Sequence, residues 1–383
     1  MAAPKFKELQ RAYGFDEVAI VPGDVTINPD QTNIDFSIGK FTFSIPILAA
    51  AMDAVVDTNF AVLMHNLGGL AVLNLDGIQT RYERPEEVLA QIVQASDSEV
   101  TPLLQRIYAE PIKENLVGER VQAIKRAGAV CAVSVIPANT KRLAPLAKEA
   151  GADILVVQST VTTARHISKS YRGLIFSELC EMVKIPVIVG NCVTYSAALE
   201  LMRTGIDGIL VGVGPGAACT TREVLGVGVP QVTATMDCAA ARETYFKETG
   251  RYVVVITDGG MRTGADICKA FASGADAVML GSVLAQAEEA PGKGYHWGMS
   301  HSHPTLPRGT RIKAGVRGPL KRLLFGPTSV TDGTENLVGA LRTCMGVCGA
   351  LTIKDMHKVK MVVAPAIKTE GKYFQAMQGL CAG

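Results

Sequence analysis

The chain has 383 residues and a formal net charge of +2. Hydrophobic residues make up 48% and charged residues 19%, the balance of a compact folded protein and not of a disordered one. So small a net charge gives no electrostatic footing for nucleic acid or a membrane surface, and the nine scattered cysteines show no CxxC pair of metal-site spacing.

From the N-terminus, MAAPKFKELQ lacks the apolar core of a signal peptide, so free thiols in a cytoplasmic protein are expected. The apolar region around residues 45–75 is broken by Asp53, Asp57, Asn59, His65 and Asn66, whereas a membrane span needs ~18 apolar residues in a row. Eight short apolar, β-branched runs then recur, at residues 45–51, 69–74, 129–135, 152–158, 185–191, 207–213, 252–258 and 275–281. They lack polar alternation, as strands buried on both faces do. Three are introduced by a near-repeat, Gly151-Ala152-Asp153, Gly205-Ile206-Asp207 and Gly274-Ala275-Asp276, which reads as a helix-ending glycine feeding a strand. Eight β/α units with short connections close into a (β/α)8 TIM barrel, an α/β fold, here one domain over residues 1–383. An open doubly wound sheet is the competing arrangement; no G-x-G-x-x-G follows the first run to support it.

Two segments depart from the repeat. Residues 75–120 are charged and weakly helical and stand where a βα loop belongs. Residues 287–335 are rich in Gly, Pro, His and Arg and read as an active-site flap.

Chemistry on such a barrel collects at the C-terminal strand ends. Here these read Met52-Asp53, Asn74, Gln158-Ser159, Asn191, Gly214 to Thr221, Asp258-Gly259-Gly260 and Gly281-Ser282. The sharpest stretch is GVGPGAACTTR at residues 212–222. Its glycines permit tight turns, and Cys219 beside Arg222 is either a nucleophile or one small core residue among nine; the pattern alone divides these evenly. Asp258 at a strand end suits a ribose diol, and the amides at Gly260, Gly281 and Ser282 suit a phosphate. His296, His301 and His303 suggest a metal, but H-x-H in a loop with no Cys or Asp partner set reads as solvated histidines.

Taken together, these stretches resemble the IMP dehydrogenase/GMP reductase family. The similarity includes Phe15-Asp16-Glu17-Val18, Val21-Pro22-Gly23, Ala51-Met52-Asp53, Val189-Gly190-Asn191-Cys192-Val193-Thr194, GVGPGAACTTR, Asp258-Gly259-Gly260, Val278-Met279-Leu280-Gly281-Ser282 and Gly346-Val347-Cys348-Gly349-Ala350. The resemblance implies that Cys219 attacks purine C2 and that Thr221 and Glu289 assist proton transfer. It implies GMP or IMP bound by Met52, Asp258, Gly260, Gly281, Ser282, Tyr295, Gly298 and Met299, with Gln158, Ser159 and Asn191 toward a nicotinamide cofactor. It also implies a K+ site on the carbonyls of Gly214, Gly216 and Cys219, and a homotetramer. Three departures stand out. Ala217 replaces a phosphate-binding serine, Gln158 replaces an acid that meets the cofactor ribose, and residues 75–120 are too short for the paired regulatory CBS module of many relatives.

Family dehydrogenases place an arginine in the flap to activate water; here Trp297 occupies that place in His296-Trp297-Gly298-Met299-Ser300. Indole offers only an N–H donor and cannot take a proton from water. The sequence therefore reads as an NADPH-dependent GMP reductase. The alternatives are an IMP dehydrogenase using NAD, with Arg308, Arg311 or Arg317 folding back as base, and a non-catalytic nucleotide-binding regulator.

Overall fold

The computed structural model describes residues 7–167, 173–298 and 311–365. Eight parallel strands close into a barrel. They are β1 (Ile47–Ala49), β2 (Leu70–Asn74), β3 (Ala132–Val135), β4 (Ile154–Gln158), β5 (Val187–Cys192), β6 (Gly208–Val211), β7 (Val254–Asp258) and β8 (Ala277–Leu280). Seven fall within the apolar runs and β5 extends one residue past its run, to Cys192; β8 pairs in parallel with β1 to close the ring, Val278 opposite Ile47. The runs lack polar alternation because both strand faces are covered. Leu48, Val72, Ile154, Val156, Ile188, Leu210 and Ile256 fill the barrel interior, while Ile47, Leu73, Val133, Leu155, Val189, Ile209 and Val255 pack outward against the helices. An antiparallel hairpin, Phe36–Ile38 with Phe41–Phe43, adds Phe36, Ile38 and Phe43 to the interior cluster and plugs the N-terminal mouth. The C-terminal mouth is left for the site.

The three Gly-x-Asp repeats have one physical role. Gly151, Gly205 and Gly274 follow helices with φ of 103°, 93° and 106°, the left-handed region that disfavours side chains. The aspartate two residues later accepts a backbone N–H from the neighbouring strand region: Cys131 to Asp153 at 2.8 Å, Val187 to Asp207 at 2.9 Å, and Val255 to Asp276 at 2.8 Å. Each carboxylate thus pins the start of one strand to the start of the next.

Residues 75–120 stand between β2 and β3, where a βα loop belongs, and are more helical than the weak pattern suggests. After α1 (Thr58–Asn66) and β2, the chain forms α2 (Pro85–Gln94), α3 (Val100–Ala109) and α4 (Glu114–Arg126). The cause is amphipathic spacing that the charge content obscures. Val88, Leu89 and Ile92 on α2 and Val100, Leu104, Ile107 and Tyr108 on α3 form their own apolar cluster, while Val117, Val121 and Ile124 seat α4 on the main core. In the 287–335 segment, Tyr295–His296 pairs with Ile312–Lys313 and a helix spans Leu320–Phe325, so the described part is more ordered than an irregular loop. Among the described residues no helix is long and apolar enough to cross a membrane.

Candidate active site at the C-terminal mouth of the barrel

The strand ends converge on one cavity of about 210 Å³. It is lined by Met52, Gln158, Ser159, Asn191, Gly214, Gly216, Cys219, Thr221, Asp258, Gly260, Gly281, Ser282 and Gly298. Thirteen side chains or backbone segments singled out from the sequence therefore meet in one place. Tyr295 and Glu289 do not line it. Tyr295 lies under the Arg311 guanidinium, 4.3 Å from ring centroid to Arg311 Cζ. Glu289 is exposed, and its Oε2 accepts the Leu320 N–H at 2.8 Å. Met299, His301, His303 and Arg308 lie outside the described residues.

The cysteine loop links β6 to the short helix Thr221–Leu225. Gly212, with φ 147°, tolerates no side chain: a Cβ there would lie 2.4 Å from the Asp258 carbonyl oxygen. Cys219 Sγ and the buried Thr221 hydroxyl are 3.2 Å apart, so a hydroxyl stands ready to exchange a proton with whatever sulfur attacks. Arg222 does not face Cys219 as a counter-charge. Its Nε donates to the Val213 carbonyl at 3.2 Å and its Nη2 to the Val229 carbonyl at 2.8 Å, which ties the two ends of the loop together.

Asp258 ends β7 within a small amide network. Gln158 Nε2 donates to Asp258 Oδ2 at 2.9 Å and to Asn191 Oδ1 at 3.1 Å, and Asn191 Nδ2 donates to the same Asp258 Oδ2 at 2.8 Å. Burial pushes the Asp258 carboxyl up to about 6, against the opposing effect of these two amide donors. Gln158 and Asn191 therefore serve Asp258 as well as any cofactor. Gly281 passes close under Met52; a Cβ on it would meet Met52 Sδ at 2.8 Å.

Several lining residues were not picked out as site residues from the sequence: Asp76, Ser134, Ile136 and His296. Asp76 accepts the Ile136 N–H at 2.7 Å and an N–H of the Asn139 amide, and burial raises its carboxyl above the usual range. His296 corrects the solvated-histidine expectation, for it is fully buried. Trp297 corrects the expectation for the flap. It is also fully buried, but it packs into the α2–α3 cluster. There its Nε1 donates to Tyr108 Oη at 2.7 Å, and Tyr108 donates to Asp53 Oδ2 at 2.6 Å. The indole is thus an anchor in the insertion helices, and its flanking residues His296 and Gly298 face the cavity. Arg311 and Arg317 are engaged elsewhere: Arg311 Nη1 donates to the Ile92 carbonyl at 2.5 Å and Nη2 to Asp97 at 2.9 Å, and Arg317 pairs with Asp332 at 3.3 Å.

The family model for the IMP dehydrogenase / GMP reductase domain matches residues 12–303. The chain belongs to this family. An uncharacterized oxidoreductase of Mycobacterium tuberculosis (strain ATCC 25618 / H37Rv) is 39% identical, the match covering 92% of this chain and 97% of the relative. The inosine-5'-monophosphate dehydrogenase of Cryptosporidium parvum is 30% identical over 92% of each chain. The crystal structure of an IMP dehydrogenase/GMP reductase-like protein from Corynebacterium glutamicum superposes with a TM-score of 0.89 at 35% identity, covering 95% of this chain and 97% of that one. This family member is therefore an oxidoreductase on a (β/α)8 barrel.

Proposed function

We propose that the chain oxidises IMP at purine C2 with NAD, through a covalent adduct on Cys219, and hydrolyses that adduct to XMP. The observation that carries the direction is the placement of Trp297. The GMP reductase reading depends on an indole standing where water must be activated, and the indole instead lies in the α2–α3 cluster on Tyr108. The proton-relay carboxylate invoked for ammonia release, Glu289, is held outside the cavity by Leu320. The similarity to a chain named as an inosine-5'-monophosphate dehydrogenase adds to this reading.

The purine nucleotide fits the lining by chemistry. Cys219 meets C2, with Thr221 as its proton partner; Asp258 accepts from the ribose diol; Gly260, Gly281 and Ser282 offer the phosphate their amides. The neutral donors and acceptors of Gln158, Ser159 and Asn74 suit a nicotinamide group beside the base, which when bound accepts the hydride leaving C2. A K+ ion is proposed on the carbonyls of Gly214, Gly216 and Cys219. The Gly216 carbonyl accepts the Cys219 N–H at 3.0 Å and keeps its second lone pair for a cation. A homotetramer belongs to the same reading and is checked by light scattering.

The deciding measurement offers the purified protein IMP with NAD, and separately GMP with NADPH. XMP and NADH in the first mixture are expected, with little ammonia from the second. Ammonia release matched to NADPH loss, with no XMP, returns the chain to the reductase reading. No turnover in either, with nucleotide bound, makes it a regulator.

Asp258 yields a second expected result. The ionised carboxylate accepts from a ribose diol, so binding favours the deprotonated form. Because burial holds the free-protein value up at about 6, affinity should be flat above that pH and fall as pH drops through it, approaching tenfold per unit by linkage. Inosine, which has no phosphate to titrate, is the clean ligand for calorimetry. Asp258→Asn should flatten the profile, and Asp258→Ala should weaken binding by ~1.5–3 kcal/mol. Affinity that is level across pH 5–8 in the wild-type protein removes Asp258 from the ribose.

A further inference from the structure

We propose that His296 is the general base that activates water for hydrolysis of the Cys219 adduct. This rests on the dehydrogenase reading above.

Three observations place it there. His296 lines the cavity that holds Cys219, Thr221 and Asp258. Its side chain is fully buried, and neither Nδ1 nor Nε2 has a hydrogen-bond partner among the described residues. An imidazole buried with both nitrogens unsatisfied bears the cost of desolvation with no hydrogen bond in return, so the arrangement suits a polar guest that supplies one. Third, the flap here lies hard against the cysteine loop. A Cβ on Gly298, two residues beyond His296, would meet the Ala218 carbonyl oxygen at 3.1 Å, and Ala218 immediately precedes the nucleophile.

The local fold explains the aim of the ring. Tyr295–His296 is a short strand against Ile312–Lys313, with His296 opposite Ile312. Successive side chains on a strand point to opposite faces. Tyr295 turns to Arg311, so the His296 ring takes the opposite face, and His296 is among the residues that line the cavity. Trp297 then leaves the strand and locks into the α2–α3 cluster. Burial also lowers the imidazole's affinity for a proton, so the ring is neutral at physiological pH and retains a lone pair for water. The ionisable groups that share the cavity lining are Asp76, Asp258 and Cys219.

The step balances. Hydride has already left C2 for the nicotinamide, and the purine is held by the C2–Sγ bond of Cys219. A water oxygen attacks C2 as the imidazole nitrogen takes one of its protons. The C2–Sγ bond then breaks, its electron pair going to sulfur, and the proton held on His296 returns to the departing thiolate through Thr221, 3.2 Å from Sγ. C2 keeps the water oxygen as the new carbonyl, its remaining proton passing to ring nitrogen. Nothing is oxidised or reduced in this step.

The test follows wild-type, His296→Ala and His296→Gln proteins in stopped flow with IMP and NAD, with XMP measured by chromatography. Both variants should give one turnover of NADH at close to the wild-type rate and then stall. Steady XMP release should fall roughly 10²–10⁴-fold, the usual contribution of a general base. Intact-protein mass after acid quench should show a purine adduct on Cys219, and added imidazole should restore part of the His296→Ala rate. Steady XMP formation within about threefold of wild type, in a variant whose melting curve shows it folded, overturns the proposal; general-base loss is far larger than that. So does loss of the first NADH turnover itself, which assigns His296 to hydride transfer or binding. Failure of the dehydrogenase reading shows separately, as absence of XMP from the wild-type protein.

Discussion

Cys219→Ala should abolish XMP formation while leaving the barrel and its nucleotide affinity in place. The expected loss in kcat is on the order of 10³-fold or more, as for removal of other enzymic nucleophiles. Binding is expected to survive because Asp258 ends β7, and Gly260 and Gly281 follow β7 and β8, outside the cysteine loop. Stability should move little, by about 0.5 kcal/mol or less, since Cys219 is part-exposed and sits outside the apolar clusters. Two readouts separate a chemical role from packing. Acid-quenched wild-type protein should carry the purine on Cys219 by peptide mapping, and the variant should carry none on any of its remaining thiols. A variant that turns over at the wild-type rate, or a label found on another cysteine, rejects Cys219 as the nucleophile. Cys131 and Cys238 are poor substitutes: both are fully buried, and burial raises their thiols well above the ordinary value, with a hydrogen bond to Cys192 the larger cause at Cys238.

The barrel was legible in the sequence because parallel strands covered on both faces leave continuous apolar runs, and because their entry points repeat Gly-x-Asp. That signal is local. The site at the strand ends was legible for a related reason: polar residues and glycines directly after an apolar run have one place to go. Trp297, His296 and Glu289 were misplaced for a different reason. Each lies in a segment whose partners are far away in the chain. The receptor for Trp297 is Tyr108, 189 residues earlier, and the group that captures Glu289 is a backbone N–H 31 residues later. A histidine in a Gly- and Pro-rich stretch reads as solvated unless that distant packing is known. The clue that was available was the amphipathic spacing in residues 85–108, which demanded an apolar partner. The single tryptophan of the chain was the largest candidate.

That partnership sets the last expected result. Trp297→Ala should destabilise the protein by about 3–5 kcal/mol, the usual range for a buried tryptophan, and should also slow turnover although the indole does not line the cavity. The mechanical reason is position. Trp297 stands between His296 and Gly298, which do line it, and its ring belongs to one apolar cluster with Ile78, Leu89, Leu104, Ile107 and Tyr108. Removing the ring frees the flap from α2 and α3 and leaves His296 without a fixed direction. Tyr108→Phe makes the finer test. It keeps the ring packing but removes the oxygen that accepts from Trp297 Nε1 and donates to Asp53, so about 1–3 kcal/mol of stability should be lost. Asp53 follows Met52 on the rim of the cavity and also accepts the Ile78 N–H at 2.9 Å, so the same oxygen ties flap, insertion and β1 loop together. In both variants the first NADH turnover should be less affected than XMP release, because hydride transfer needs Cys219 and the nucleotide, whereas hydrolysis needs the flap in register. Equal slowing of both steps would mean that the anchor supports the whole mouth and not the flap alone. A Trp297→Ala protein that melts and turns over like wild type would show that the flap is held by something other than this indole.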